Sequence, residues 1–353
     1  MMADFYKGKR VLLTGHTGFK GSWMCRLLDN LGAEVYGYSL PAPTDPNLYE
    51  IADIGKNVTS EVGDIRDFDR LCKFYEDASP DIVIHMAAQP IVKEGYRIPR
   101  ETFEINVMGT VNLLECTRLI GKAKSIVNVT TDKVYYNDES GVPLREDMKL
   151  EGFDPYSNSK SCSDIITRSY DNSFFKDGPA VSVARAGNVI GGGDFSMNRI
   201  VPDCVRAVIS GNPIGIRNPN SVRPFEHVIE PLYAYLLIAE EQYKNPSLSG
   251  AYNIGPDESD CISAGELAKL FCEAWGPGAT CKIENDNGPH EAGFLRLDNS
   301  LIKKVFGLHP AMNVKDAIGL TVEWTKVWQA GGDTAECMDK QIINYLRKRN
   351  QNV

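Results

Sequence analysis

An apolar run, Arg10–Thr14, breaks at once into Thr14-Gly15-His16-Thr17-Gly18-Phe19-Lys20-Gly21, and the stretch Phe19–Leu31 then repeats apolar residues at helical spacing. A strand that turns directly into a helix needs glycine in three places: where the backbone reverses, where a ligand comes close, and where helix packs on strand. Gly15, Gly18 and Gly21 meet those needs. The helix that follows offers free backbone N–H groups at its N-terminus. The turn therefore predicts a pyrophosphate cradle formed by Gly15, Thr17, Gly18, Phe19, Lys20 and Gly21. Glycine-rich turns also end strands without binding anything. The strand–turn–helix order is what points to a dinucleotide.

The rest of the first 190 residues keeps the same rhythm. Strand candidates at Glu34–Tyr38, Asp81–Met86, Ser125–Thr130 and Val181–Arg185 alternate with amphipathic stretches at Asp67–Glu76 and Thr102–Ile120. Such alternation predicts an α/β fold, a Rossmann-type doubly wound parallel sheet covered on both faces. After about residue 186 the regularity fades, and Ile262–Trp275 and Val314–Trp328 read as helices. The division predicted is a dinucleotide-binding domain over 1–186 plus roughly 222–255, with a smaller substrate domain from 187–221 and 256–353 interleaved with it. A chain of 353 residues with 42% apolar and 24% charged residues has material for both. With 38 basic against 47 acidic residues the net charge is −9, which disfavours nucleic acid or an anionic membrane as partner. No run reaches the ~18 apolar residues of a membrane helix, and Met1–Arg10 lacks the apolar core of a secretory signal. The nine cysteines are scattered and never spaced CxxC, which predicts free thiols in a reducing cytoplasm, with neither a disulfide framework nor a metal site.

Several positions bear on the dinucleotide. A carboxylate that grips the adenosine ribose usually ends the second strand, but here Ser39 stands there, able to hydrogen-bond yet without a charge to repel a 2′-phosphate. NAD is the cofactor expected, weakly held. Asp64, with Ile65, is placed either to accept from the adenine amino group or to stabilise a turn. Ala87, Ala88 and Gln89 follow the fourth strand, where small side chains let backbone approach the cofactor, and His85 before them reads as a packed histidine.

The chemistry centres on Tyr156-Ser157-Asn158-Ser159-Lys160. Positions i and i+4 share a helix face, so the Lys160 ammonium can stabilise a Tyr156 phenolate and make it a base toward a hydroxyl. Thr131-Asp132-Lys133 ends the fifth strand at the carboxyl edge of the sheet, where ligands of such sheets bind. Thr131 can hydrogen-bond the hydroxyl that Tyr156 deprotonates. Asp132 and Lys133 add two titratable groups that an alcohol dehydrogenase or epimerase does not need and an elimination does. For a diphosphate, Arg223, Arg199 and Arg217 are candidates, each equally suited to a surface ion pair, and Asn188 offers an amide.

These residues carry a resemblance. The chain resembles the nucleotide-sugar 4,6-dehydratases of the extended short-chain dehydrogenase/reductase superfamily over nearly its whole length. The likeness runs through Thr14–Gly21 in the GxxGxxG spacing of that class, Gly63–Asp67, His85–Pro90, Asn106–Thr110, Asp154–Lys160 and Arg185–Asp194. Most members carry Thr-Asp-Glu where this chain has Thr131-Asp132-Lys133. The branch acting on CDP-glucose carries Thr-Asp-Lys, and Arg223–His227 and His290–Ala292 also resemble that branch. The resemblance implies NAD, a role for Asn106 at the cofactor and His290 at the substrate, and a nucleotide-sugar partner. It further implies a cytoplasmic homodimer or tetramer and a place in deoxysugar (O-antigen-type polysaccharide) synthesis. It also implies a sequence of steps: Tyr156 takes the 4-hydroxyl proton as carbon 4 is oxidised, Asp132 protonates the departing 6-hydroxyl, and hydride returns to carbon 6. Lys133 is the carbon-5 base if it is held neutral. A nucleotide-sugar 4-epimerase and a non-catalytic dinucleotide sensor remain the rival readings.

Overall fold

Parallel strands flanked by helices on both faces must be apolar on both sides, and the inner strands are. In the computed structural model, which describes residues 2–284 and 293–351, every residue of β4 (Ile82–His85), β5 (Ser125–Val129) and β6 (Ala180–Ala186) is buried. With β1 (Arg10–Thr14), β2 (Glu34–Ser39), β3 (Val58–Val62) and β10 (Ala251–Ile254) they form a seven-stranded parallel sheet in the order β10-β6-β5-β4-β1-β2-β3. The order reverses between β1 and β4, where Thr14 stands beside His85, the switch point at which ligands of such sheets bind. Strand β3 (Val-Thr-Ser-Glu-Val) lies at the outer edge and is only partly buried, as its polar composition allows.

The period of two along each strand divides the core. Val11, Leu13, Ile82, Ile84, Val127 and Val129 face one layer, which contains α1 (Phe19–Asn30) and residues such as Leu232 and Tyr235. Leu12, Val83 and Ile126 face the other, packed against α2 (Phe68–Ala78), α3 (Gly109–Ile120) and Tyr170 of α4 (Pro155–Phe174). A separate apolar cluster unites Val201 and Cys204 of α5 (Ile200–Ile209) with Phe225, Leu267, Phe271 and Ile318. Around it lie short strands: β7 (Asn188–Ile190) and β11 (Cys261–Ser263) flank β9 (Val222–His227), and β8 (Ile214–Ile216) pairs with β12 (Cys281–Ile283). Helices α6 (Ile229–Lys244), α7 (Ala264–Trp275), α8 (Val314–Gln329) and α9 (Thr334–Gln351) complete the chain. Met338, Ile342 and Tyr345 of α9 share one face by helical spacing. They pack with Trp23, Met24 and Leu27, so the last helix covers the sheet layer even though its sequence follows the smaller cluster.

One expectation is corrected. Cys72 on α2 and Cys116 on α3 are disulfide-bonded, with Cα atoms 5.2 Å apart, where the scattered spacing predicted free thiols. Two helices that are 44 residues apart in sequence at these positions pack side by side on one face of the sheet, a proximity that sequence spacing does not encode. Among the described residues no helix is long and apolar enough to cross a membrane, and no group of His, Cys, Asp or Glu is arranged to hold a metal ion.

Candidate active site

The glycine turn is as tight as its sequence demands. Gly15 has φ +79°, and a Cβ there would lie 2.9 Å from the Ala87 nitrogen; a Cβ on Gly21 would lie 2.1 Å from the Gly15 carbonyl oxygen. Gly18 caps α1 without a side chain, and with the Ser22 N–H the first to bond back, to the Gly18 carbonyl at 2.8 Å, the N–H groups of Phe19, Lys20 and Gly21 are left to a ligand. The Thr17 hydroxyl donates to the Leu40 carbonyl (2.8 Å) and meets the Ser39 hydroxyl at 2.9 Å, so Ser39 sits at the rim of the turn as the sequence placed it. Asp64 accepts from the backbone N–H and guanidinium of Arg66, which holds its carboxyl below the usual range; its turn role is thus realised. Ile65 is buried against Gly109.

Across the switch point, Met86 and Ala87 donate their N–H groups to the Thr14 hydroxyl, and His85 hydrogen-bonds Thr14 at 2.7 Å and Thr110 at 3.2 Å. Burial lowers the His85 pKa to about 3, so it is a neutral, packed histidine. Asn106 lies in a single π-helical turn, Glu104–Met108, just before α3. Its amide accepts from Gln89 N at 2.8 Å and donates to the Gln89 carbonyl and the Ser159 hydroxyl, clasping the loop of Ala87, Ala88 and Gln89 to α4.

Two ammonium groups, on buried Lys160 and half-buried Lys20, point to an anion. Lys20 donates to the Tyr235 hydroxyl at 2.7 Å and Lys160 to the Val129 carbonyl at 2.9 Å, and neither is ion-paired among the described residues. Burial is the main cause that lowers their pKa values, to about 8 and about 7, and Lys20 further depresses Lys160. A pyrophosphate would supply the missing counter-charge. Together with a cradle too close for any Cβ and an uncapped helix end, the residues present fit a dinucleotide.

Strand β5 ends at Val129, and Thr130–Thr131 lead into a short helical turn, Asp132–Val134. Helix α4 starts at Pro155 with Asp154 as N-cap, accepting from the Ser157 N–H at 3.0 Å. One turn apart on its inner face stand Tyr156 and Lys160, 8% and 4% exposed. Burial pushes the Tyr156 phenol up to about 12, against the pull of the Thr131 hydroxyl and of Arg199. The Thr131 hydroxyl donates to Asp132 Oδ1 at 2.9 Å. Lys133 Nζ donates to the same oxygen at 2.9 Å and to Asn188 Oδ1 at 3.2 Å. Asp132 is fully buried, and its Oδ2 has no hydrogen-bond partner among the described residues. The structure thus brings Thr131, Asp132, Lys133, Tyr156, Lys160 and Asn188 into one cluster.

The arginines divide. Arg199 pairs with Asp194 at 3.5 Å, and its charge reaches both Tyr156 and Lys20, which puts it at the site. Arg223 is buried on β9, its guanidinium donating to the Val222 carbonyl at 2.9 Å, on the strand where Phe225 pairs with Asn188. Arg217 pairs with Asp203 of α5 at 3.3 Å, and no contact among the described residues joins it to Tyr156. His290 lies outside the described residues. Sequence reasoning gave no role to two neighbours. Glu226 is buried with its carboxyl pushed well above the usual range by burial and by Glu230, within reach of the charges of Lys20 and Asp132. Tyr235 of α6 receives the Lys20 hydrogen bond. Tyr235 belongs to no motif that would have marked it in the sequence.

Comparison with known proteins agrees with this geometry. A sequence model of the NAD dependent epimerase/dehydratase family matches residues 11–255. A CDP-glucose 4,6-dehydratase of Salmonella typhimurium is 41% identical over 350 residues, covering 97% of this chain and 98% of that protein. A dTDP-glucose 4,6-dehydratase of Streptomyces griseus is 29% identical over 323 residues, 89% of this chain and 93% of that one. The dTDP-glucose 4,6-dehydratase of Streptomyces venezuelae, solved with NAD bound, superposes with a TM-score of 0.77 at 25% identity over 92% of this chain and 99% of its own. With a family match over residues 11–255 and a relative 41% identical along nearly its whole length, the chain belongs to the NAD dependent epimerase/dehydratase family.

Proposed function

We propose that the chain is a hydro-lyase that removes water from CDP-glucose, giving CDP-4-keto-6-deoxyglucose, with NAD as a cofactor that is regenerated in each cycle. The observation that carries this reading is the acid–amine pair Asp132–Lys133 set directly beside Thr131 and Tyr156. Oxidising an alcohol needs only the latter two with Lys160; eliminating a hydroxyl also needs a proton donor and a carbon-acid base.

Gly15, Thr17, Gly18, Phe19, Lys20, Gly21, Ser39, Ala87, Ala88, Gln89 and Lys160 would hold the NAD, with Asp64, Ile65 and Asn106 shaping its walls. When bound, NAD supplies reversible hydride storage. Tyr156 takes the proton of the sugar 4-hydroxyl, helped by the Lys160 ammonium one turn away, which stabilises the phenolate. The resulting 4-ketone acidifies the carbon-5 hydrogen, and Lys133 removes it. Asp132 gives a proton to the 6-hydroxyl as it leaves. Lys133 Nζ donates to Asp132 Oδ1 at 2.9 Å and to Asn188 Oδ1 at 3.2 Å, and it acts as the base in its neutral form.

Arg199 and Arg223 with Asn188 would receive the diphosphate, and His290, outside the described residues, would join them. In this division the sheet body serves the dinucleotide, and the smaller cluster around β7 and β9 serves the nucleotide sugar. Met108, Leu119, Ile165 and Phe174 are about half exposed on and just before α3 and on α4, an apolar strip suited to a homodimer. The enzyme would work in the cytoplasm, supplying a deoxysugar for an O-antigen-type polysaccharide.

The test is incubation with substoichiometric NAD and a panel of CDP-, UDP-, dTDP- and GDP-glucose, followed by product mass. A product lighter by one water from CDP-glucose supports the reading. An isomer of unchanged mass identifies an epimerase, and cofactor binding without turnover identifies a sensor.

A further inference from the structure

Proton bookkeeping over the proposed cycle leaves a debt between two residues. Tyr156 gains the proton of the 4-hydroxyl. Asp132 loses one to the departing 6-hydroxyl as the C6–O bond breaks. Lys133 takes the carbon-5 proton as the C5–C6 double bond forms and returns it to carbon 5 once hydride has reached carbon 6. After one turnover Tyr156 therefore holds one proton too many and Asp132 one too few for the next.

The hydrogen bonds around Asp132 fit that post-turnover arrangement. Burial keeps the Tyr156 phenol protonated, its pKa about 12, while Asp132 Oδ1 accepts from both Thr131 and Lys133 as a carboxylate does. Between the two stands one hydroxyl. Thr131 lies against the Tyr156 phenol on one side and donates to Asp132 Oδ1 at 2.9 Å on the other. Asp132 is fully buried and Tyr156 nearly so, and of the group only Lys133 has an appreciable part of its side chain, 26%, in contact with solvent. Bulk water is thus poorly placed to return the proton at either end.

We propose that Thr131 relays a proton from Tyr156 to Asp132 between turnovers, so that Tyr156, Thr131, Asp132 and Lys133 act as one closed proton chain. The Tyr156 O–H proton passes to Thr131 Oγ1 while the Thr131 proton passes to Asp132 Oδ1. One O–H bond breaks and one forms at Thr131, leaving a phenolate and a carboxylic acid with no change in total charge. A half-turn about the Asp132 Cβ–Cγ bond then offers the acid proton at the Oδ2 position, which no described residue occupies with a hydrogen bond. Hydrogen bonds of this kind commonly tighten only when substrate closes the site. The Lys160 ammonium and the cationic nicotinamide favour the phenolate side.

This inference rests on the dehydratase reading, and the experiment separates the two. Rapid-quench kinetics with CDP-glucose compare the first turnover with later ones in wild type, Thr131→Ser and Thr131→Val. If the wild type forms no dehydrated product, the functional reading itself fails. If it does, enzyme held with NAD before mixing has time to reach the phenolate–acid state slowly through solvent, and the relay predicts that Thr131→Val then completes roughly one turnover per site and slows, by about a hundredfold or more. That slow phase should accelerate with rising imidazole concentration, because a small buffer can carry the stranded proton. Thr131→Ser keeps the hydroxyl and should turn over without a burst or buffer dependence. A Thr131→Val enzyme whose first and later turnovers are slowed equally and ignore imidazole would overturn the relay, leaving Thr131 as a binding contact for the 4-hydroxyl.

Discussion

Asp164 is the place to test how the site is held together. It lies two turns beyond Tyr156 on α4, with no exposed side-chain surface, and accepts from Arg185 Nε at 2.7 Å and Nη2 at 3.0 Å. Arg185, equally buried on β6, also donates to the Tyr135 hydroxyl at 2.7 Å, and Tyr135 follows the turn that carries Asp132 and Lys133. One guanidinium thus ties the helix bearing Tyr156 and Lys160 to the loop bearing Thr131, Asp132 and Lys133. Asp164→Ala would strand that guanidinium without a counter-charge, and breaking one side of a buried pair costs about 3–5 kcal/mol. The surviving bonds to Tyr135 and the Glu146 carbonyl keep Arg185 partly satisfied, which places the expected loss toward the lower end. The second partner of Asp164, Arg168, is nearly half exposed and adds little. Against a total stability of about 5–15 kcal/mol such a loss is large. Equilibrium urea unfolding followed by circular dichroism should show the midpoint fall, and kcat should fall more than KM rises. Replacing both partners, Asp164→Leu with Arg185→Met, should recover most of the stability but not kcat. A loss below about 1 kcal/mol for Asp164→Ala would refute the reasoning.

Three further predictions follow from the site. Lys133→Ala should still oxidise carbon 4, because Thr131, Tyr156 and Lys160 remain, and then stall. Stopped-flow absorbance should show bound NADH without dehydrated product, and normal turnover would remove Lys133 from the base role. Ser39→Asp should tighten NAD by about tenfold, through one charge-assisted hydrogen bond, and weaken NADP, as measured by calorimetric titration; no change in either would show that other contacts dominate. Lys20 and Lys160 have folded pKa values lowered to about 8 and about 7 from the ordinary lysine value of about 10.4. Between those values the unfolded chain binds more protons than the folded one, so stability rises with pH across that window. Scanning calorimetry of the free protein should show the melting temperature rising from pH 7 to 9. NAD, by pairing the ammonium groups, should flatten that rise, and a steady fall over the same range would contradict it.

The parts legible in the sequence were those whose physics is local. Apolar runs marked β1, β4, β5 and β6 to within a residue or so at each end, and the glycine spacing marked the turn that Gly15 and Gly21 make too tight for a side chain. The spacing of Tyr156 and Lys160 needed only the helical period. What stayed hidden depends on packing across distance. Cys72 and Cys116 meet because two helices share a face of the sheet, and α9 covers α1 from the far end of the chain. Strands β7, β8, β11 and β12 are three residues long, too short to show a period. The hydrogen bond of Lys133 to Asn188, 55 residues apart, and the pairing of Arg217 with Asp203 rather than with the Tyr156 cluster are tertiary facts of the same kind.

The central claim is that hydride leaves carbon 4 and returns to carbon 6 while water is lost between. CDP-glucose deuterated at carbon 4, incubated with the protein and a trace of NAD, tests it directly by mass spectrometry and NMR of the product. The expected result is a 4-keto-6-deoxy sugar with the deuterium at carbon 6 and no accumulation of NADH. Deuterium back at carbon 4 of an unchanged-mass isomer, or stoichiometric NADH with no loss of water, would contradict the account.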